Sequence, residues 1–243
     1  MKIEIWSDFV CPFCYIGKRR LEEALNQFPH KEKVEVEFKS FELDPNAPEY
    51  SGRSIHEALA VKYGMTIDEA KKANEGVGKQ ANSVGLTFNF EEMKPTNTFD
   101  AHRLAKYAKT LGKEREITER LLFGYFMESK NLGDQETLLD LAESVGLDRN
   151  DAVTILQDKN AFANDVRIDE GLAQAYGVRG VPYFIINQKY AISGAQPTET
   201  FLRALLQVWQ EESTTPVLQD LSSESVDDAS CMDGSCAVPG KNE

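Results

Sequence analysis

Cys11 and Cys14 enclose Pro12 and Phe13 ten residues into the chain, between a strand signal and a helix signal. Lys2-Ile-Glu-Ile-Trp6 alternates polar and apolar with period two, as a half-buried strand does. From Ile16 onward Leu21, Ala24, Leu25 and Phe28 recur at helical spacing. Cys11 therefore falls where a strand hands over to a helix N-terminus, and Pro12 suits a first turn, where its missing N–H costs nothing. Unpaired N–H groups and the helix dipole favour an anion at that place, and with it the nucleophilic thiolate of Cys11. Two cysteines three apart on one turn can close a small disulfide. The first is expected to be exposed and the second shielded behind it, an asymmetry that suits an attacking and a resolving thiol. Half of a zinc site is the rival reading. Zinc normally takes four ligands, and no histidine lies near this pair or near Cys231 and Cys236, so redox chemistry is preferred and no metal is expected.

The order of elements narrows the fold. Lys33-Val-Glu-Val-Glu-Phe-Lys39 places Val34, Val36 and Phe38 on one face and charges on the other, a second strand. A strand–helix–strand start predicts a parallel pair with a right-handed crossover. Asp44-Pro-Asn-Ala-Pro48 ends that unit. From about Ser54 to Tyr176 the spacing is helical, with Asp134 and Asp148 as N-caps and Gly146 and Gly177 at C-terminal caps. Five or six helices are expected there. Strand character returns at Pro182–Asn187 and Tyr190–Ser193, joined by a polar turn as a β-hairpin. A last helix runs from near Pro197 to about Trp209, with Phe201, Leu205 and Val208 on one face. The reading is α/β: βαβ followed by ββα, with a large all-helical insertion. Residues 1–48 and 177–211 form one domain, 49–176 the insertion, and 212–243 an acidic tail with little to bury, expected to be mobile.

Composition excludes some partners. The 243 residues are 41% apolar and 28% charged, ordinary globular material. A formal net charge of −13 argues against nucleic acid and anionic membrane. Eight acids and a single lysine between Glu211 and Glu243 carry more than half of that excess. No apolar run approaches a membrane span, and the N-terminus lacks the apolar segment of a signal peptide, so a cytoplasmic protein is expected. Paired thiols in that compartment are more often catalytic, redox-sensing or metal-binding than structural.

Trp6-Ser-Asp-Phe-Val-Cys-Pro-Phe-Cys-Tyr15 resembles the active-site segment of the DsbA-like thioredoxin superfamily. Within it the chain is most similar to the cytosolic FrnE-type oxidoreductases, relatives of 2-hydroxychromene-2-carboxylate isomerases and kappa-class glutathione transferases. A second match is Gly177-Val-Arg-Gly-Val-Pro-Tyr-Phe184, and a weaker third is Asn97-Thr-Phe-Asp-Ala-His-Arg103. The resemblance implies a thioredoxin-like fold and a cis-proline at Pro182 facing the dithiol, with the Val181 backbone docking a substrate chain. It also implies that Cys231 and Cys236 form an auxiliary dithiol on a tail that folds back. Some twenty residues of tether span on the order of 25 Å and give an effective concentration that reaches millimolar. An exposed cysteine pair with no redox role is the bland alternative.

The remaining candidates carry less. Phe13 cannot act as a charge partner for Cys11 as a histidine would, so a less oxidising dithiol than that of periplasmic DsbA is expected. Phe13 and Trp6 are candidate substrate contacts, although Trp6 and Tyr15 read first as core. Asp8 reads equally as a turn residue and as a proton relay to Cys14. Asn97 and Thr98 read as helix caps, His102 as structural, and His30 and His56 as uninformative. The reading is a protein disulfide oxidoreductase/isomerase: Cys11 attacks, Cys14 resolves, Val181 and Pro182 position the substrate, and Cys231 and Cys236 hold or pass on the disulfide. Its partners are disulfide-containing proteins and a thioredoxin-type recycling protein. It carries no cofactor beyond its own disulfide, with glutathione the one small-molecule candidate. The alternatives are a glutathione-dependent isomerase or transferase for small aromatic or polyketide compounds, and a non-catalytic peptide-binding module.

Overall fold

Strand β1 (Lys2–Ser7) leads into helix α1 (Pro12–Gln27), which returns the chain to strand β2 (Glu35–Ser40), parallel to β1. This is the βαβ unit expected from the two apolar periodicities. The computed structural model describes residues 1–213. Seven helices separate β2 from the next strand: α2 (Ile55–Tyr63), α3 (Ile67–Asn82), α4 (Phe99–Thr110), α5 (Glu114–Phe126), α6 (Gln135–Ser144), α7 (Arg149–Gln157) and α8 (Ala163–Ala175). The count exceeds the expected five or six because two capping boxes, Ser54 with Glu57 and Thr66 with Glu69, start separate helices within the first thirty residues of the block. Asp134 and Asp148 cap α6 and α7, accepting from the N–H groups of Thr137 and of Asn150 and Asp151. Gly146 and Gly177 follow α6 and α8 with φ of 75° and 70°, the left-handed geometry of a helix stop.

Strands β3 (Tyr183–Ile186) and β4 (Tyr190–Ser193) form the hairpin, and α9 (Thr198–Ser213) closes the described chain. Asn187 and Gln188 both take positive φ, the type I′ geometry that matches strand twist. The sheet order is β2-β1-β3-β4, with β3 antiparallel to β1; Ile5 pairs with Phe38 on one side and Phe184 on the other. Helix α9 runs four residues past its expected end at Trp209. Among the described residues no helix is long and apolar enough to cross a membrane.

Helix α1 lies between two cores. Leu21, Ala24 and Phe28 pack with Ile3, Ile5, Phe184, Phe201 and Leu205 between the sheet and α9. Tyr15 and Ile16, one turn earlier, pack with Leu104, Leu121 and Phe126 of the helical insertion. The other sheet face departs from expectation. The alternation on β2 predicts solvated charges opposite Val36 and Phe38, yet Glu37 is 8% exposed and its neighbour Glu4 on β1 is 6% exposed. Helices α4 and α8 cover that face and bring their own charges: Lys106 meets Asp169, and Glu37 receives Lys2 (2.5 Å), Lys39 (2.7 Å) and Lys109. A half-buried strand in sequence is thus covered on both faces in the fold.

Burial opposes the charge on Glu37, but hydrogen bonds from Lys109, Lys2 and Lys39 outweigh it and hold the carboxyl well below its ordinary range. A depressed carboxylate contributes stability above its unfolded pKa and loses it as the pH falls. Glu37→Gln is expected to cost about 1–3 kcal/mol, less than a fully buried pair because Lys2 and Lys109 are 42% and 39% exposed. It should also flatten the fall of the urea midpoint on acidification below about pH 5. Parallel wild-type and variant midpoints across that range would refute this role.

Candidate active site

Cys11 is the extended residue before α1, and Pro12 occupies the first helical turn. The loop is closed by the Cys11 N–H donating to the Asp8 carbonyl (3.1 Å) and the Cys14 N–H donating to the Cys11 carbonyl (3.0 Å). Both cysteines are free thiols. The expected contrast in exposure does not hold: Cys11 is 4% and Cys14 2% exposed. The reason is long-range. The Val181–Pro182 segment lies over Cys11, whose thiol donates to the Val181 carbonyl at 3.5 Å, and the Val181–Pro182 peptide bond is cis. Asymmetry survives in the surroundings. Burial pushes the Cys14 thiol up, and the neighbouring Cys11 adds to it; the Asp8 backbone and Ser7 side chain work the other way. Phe13, 37% exposed, is the outward face of the tetrapeptide.

Trp6 has no exposed surface, which removes it as a substrate contact. Its indole N–H donates to the Asp169 carbonyl at 2.8 Å and its ring meets the edge of Tyr176. Asp8 is buried and fully engaged: Oδ2 accepts the Leu43 N–H at 2.8 Å and Oδ1 lies 3.3 Å from Nε2 of His102. His102 also packs on the ring of Phe9, at 4.7 Å between centroids. The 97–103 segment therefore delivers a histidine to the base of the dithiol loop. Thr98 makes no capping bond there; Asn97 accepts the Phe99 N–H instead, at 2.8 Å. Arg103 is wholly buried and donates to the Ile155 and Asp158 carbonyls at the end of α7. Tyr15 and Lys18 hold Glu119 of α5 at 2.6 and 2.5 Å, with Arg19 on the same carboxylate, tying the active-site helix to the insertion.

Two features escaped the sequence reading. Gly17 lies beneath Pro182: a β-carbon there would sit 3.1 Å from Pro182 Cγ and 3.2 Å from Phe184 Cζ. A β-carbon there would require Pro182 or Phe184 to give by a few tenths of an ångström, so the glycine lets the 181–182 segment lie this close to α1. In sequence, a glycine inside a helix signals nothing more than lowered helix propensity. The second is a groove of about 380 Å³ beside Pro182, lined by Gly177, Arg179, Gly180, Val181, Ser193 and Gly194 among others. Arg179 sits inside the second matched segment without any periodicity to mark it. Cys231 and Cys236 lie outside the described residues.

A dithiol at a helix N-terminus is thus faced by a cis-proline segment that leads into β3. Residues 2–206 match the DSBA-like thioredoxin domain. The chain belongs to the DsbA-like thioredoxin family. It is 31% identical to the uncharacterized protein YwbO of Bacillus subtilis over 209 residues, covering 84% of this chain and 94% of that one. A probable DsbA oxidoreductase of Streptomyces coelicolor superposes with a TM-score of 0.84 at 38% identity, covering 99% of this chain and 100% of that one. The cytosolic disulfide reductase DsbM of Pseudomonas aeruginosa, solved with GSH, shares the fold at 16% identity, with a TM-score of 0.59 over 87% of this chain and 100% of that one.

The DsbA-like frame makes Gly17 a test of the site's packing. Phe184 is locked against Phe201 at 4.8 Å, so Pro182 is the neighbour that must move when a methyl group is added. Gly17→Ala is expected to cost about 1–3 kcal/mol through overpacking and to uncover Cys11, read as faster alkylation by iodoacetamide. Unchanged alkylation would show that the proline segment does not shield the thiol.

Proposed function

We propose that this DsbA-like protein is a FrnE-type thiol–disulfide oxidoreductase of the cytoplasm, acting on protein disulfides. The observation that carries the reading is the pair of free thiols at the start of α1, with the Cys11 sulfur against the Val181 carbonyl. The Cys11 thiolate attacks one sulfur of a substrate disulfide, forming the Cys11–substrate bond and releasing the other half as a thiolate. Cys14 then loses its proton and attacks the Cys11 sulfur. The second substrate thiolate leaves, and a Cys11–Cys14 disulfide remains. The reverse sequence oxidises a substrate dithiol; isomerisation results when another thiolate of the substrate, in place of Cys14, attacks the substrate sulfur bound to Cys11, forming a new substrate disulfide and releasing the Cys11 thiolate. Among the described residues, the N–H groups of Arg179, Gly180 and Val181 make no hydrogen bond, so an extended substrate chain can pair there as an added strand. Phe13 offers that chain an apolar contact.

Cys231 and Cys236 then serve as the auxiliary pair, taking the disulfide from Cys11 and Cys14 by a second exchange. Helix α9 leads from the Gly194–Ala195 turn beside Pro182 to the β3–β4 turn, where Asn187 bonds Glu212. That path is about 24 Å for sixteen helical residues. The eighteen residues from Ser213 to Cys231 reach at most about 60 Å, enough to return. Glutathione and a thioredoxin-type protein are the recycling partners in this reading; GSH in the DsbM structure supports the first.

Cys11→Ser is expected to lower insulin reduction more than about 100-fold, the order of loss that follows removal of a nucleophile, and Cys14→Ser to accumulate a mixed disulfide with substrate. Because the Cys14 thiol is held up, resolution should accelerate with pH, about tenfold per unit while the thiol form dominates. Activity that survives Cys11→Ser would favour the glutathione-dependent isomerase reading instead.

Truncation after Ser213 tests the auxiliary pair. Turnover with protein disulfides is expected to slow while the first exchange with a small disulfide stays the same. Identical kinetics and redox potential in the truncated protein would remove Cys231 and Cys236 from the reaction.

A further inference from the structure

The groove beside Pro182 is built mainly of backbone. Gly177, Gly180 and Gly194 contribute no side chain, and Val181, Tyr183 and Ser193 are uncharged; Arg179 is its one charged lining residue. Arg179 is exposed and forms no ion pair among the described residues. Arg20 of α1 donates to the Ala195 carbonyl at 2.5 Å, one residue beyond the lining Gly194, and it too forms no ion pair among the described residues. Arg19, Arg103, Arg120, Arg149 and Arg167 are engaged by carboxylates, whereas Arg53, Arg115 and Arg203, none of which lines the groove, share the lack of an ion pair among the described residues. In a chain with net charge −13, acids are abundant, yet among the described residues none is placed on Arg179 at the groove or on Arg20 beside it. The general field of the protein repels anions, so a local cationic rim next to the dithiol selects what the field would otherwise turn away.

We propose that Arg179, supported by Arg20 at Ala195, forms a carboxylate subsite, so that the preferred substrates are extended peptide segments carrying an acidic residue beside the disulfide-bonded cysteine. This rests on the disulfide-exchange reading above. The unpaired N–H groups at 179–181 align the substrate backbone along the groove, and a guanidinium offers a carboxylate two parallel hydrogen bonds. Exchange chemistry itself is unchanged; the subsite acts on which disulfide is brought to Cys11.

The test uses the full chain, as wild type, Arg179→Glu, Arg179→Lys and Arg20→Gln. Two peptide disulfides differing only in Asp or Lys beside the cysteine, and glutathione disulfide, are each compared with hydroxyethyl disulfide in the same variant. The wild type should prefer the Asp peptide over the Lys peptide about tenfold at low ionic strength, and the preference should shrink toward about 0.15 M salt. Arg179→Glu should abolish or invert that ratio, Arg179→Lys should keep most of it, and Arg20→Gln should reduce it. An Asp-to-Lys ratio that is the same in wild type and Arg179→Glu overturns the proposal. A ratio that changes for glutathione disulfide alone also overturns it, assigning the groove to a small thiol and not to a peptide. The same peptides with Ser for Cys, followed by fluorescence anisotropy, read the subsite without chemistry. A charge preference that Arg179→Glu reverses in binding, with no exchange by the wild type, sustains the subsite and defeats only the oxidoreductase reading.

Discussion

Helix α1 is buried on two sides, and the site follows from that constraint. One face of the helix completes the core beneath the sheet through Leu21, Ala24 and Phe28, and its first turn enters the helical insertion through Tyr15 and Ile16. Glu119 clamps Tyr15, Lys18 and Arg19 from α5. A helix held by two independent cores cannot slide, so its N-terminus presents Cys11 at a fixed place. Gly17 sets how closely the opposing segment approaches it. Side-chain packing of this kind leaves little slack, because interiors are as dense as organic crystals.

The same constraint explains the burial of both thiols. In isolation a helix N-terminus would leave Cys11 open to solvent. Here the 181–182 segment covers it, and the Val181 carbonyl takes its S–H. Covering one thiol with backbone while burying the other separates their chemistry by environment. Cys11 lies against the Val181 carbonyl as a hydrogen-bond acceptor; Cys14 faces the protein interior, where burial opposes ionisation. The Asp8–His102 pair below the loop belongs to this interior side. Asp8 is both a turn residue, through its carbonyl on Cys11, and a buried carboxylate held by a histidine from the insertion.

Much of the fold is legible in residue order. The β1 and β2 alternation, the amphipathic α1, the caps Asp134 and Asp148 and the hairpin across Asn187 are local signals, each readable within a few residues. The matched segments around Cys11 and Pro182 locate the site. The misses share a physical cause. Glu4, Glu37 and Lys39 read as a solvated face because a strand's alternation says which residues share a side, but not what covers that side. Trp6 read partly as a substrate contact because it flanks the loop; the Asp169 carbonyl that receives its indole N–H lies 163 residues away.

By itself the sequence determined a dithiol at a strand-to-helix junction, the βαβ and ββα order with helices between, and the membership that those segments mark. Backbone periodicity, capping and turn chemistry are encoded over short distances, so they survive without coordinates. Only the tertiary structure decided that Cys11 is covered, that Gly17 and Pro182 meet across 165 residues of chain, and that Arg20 bonds the chain beside the groove that Arg179 lines. Those facts arise from which surfaces the helical insertion and the hairpin bring together, and no local pattern records a contact between segments that far apart.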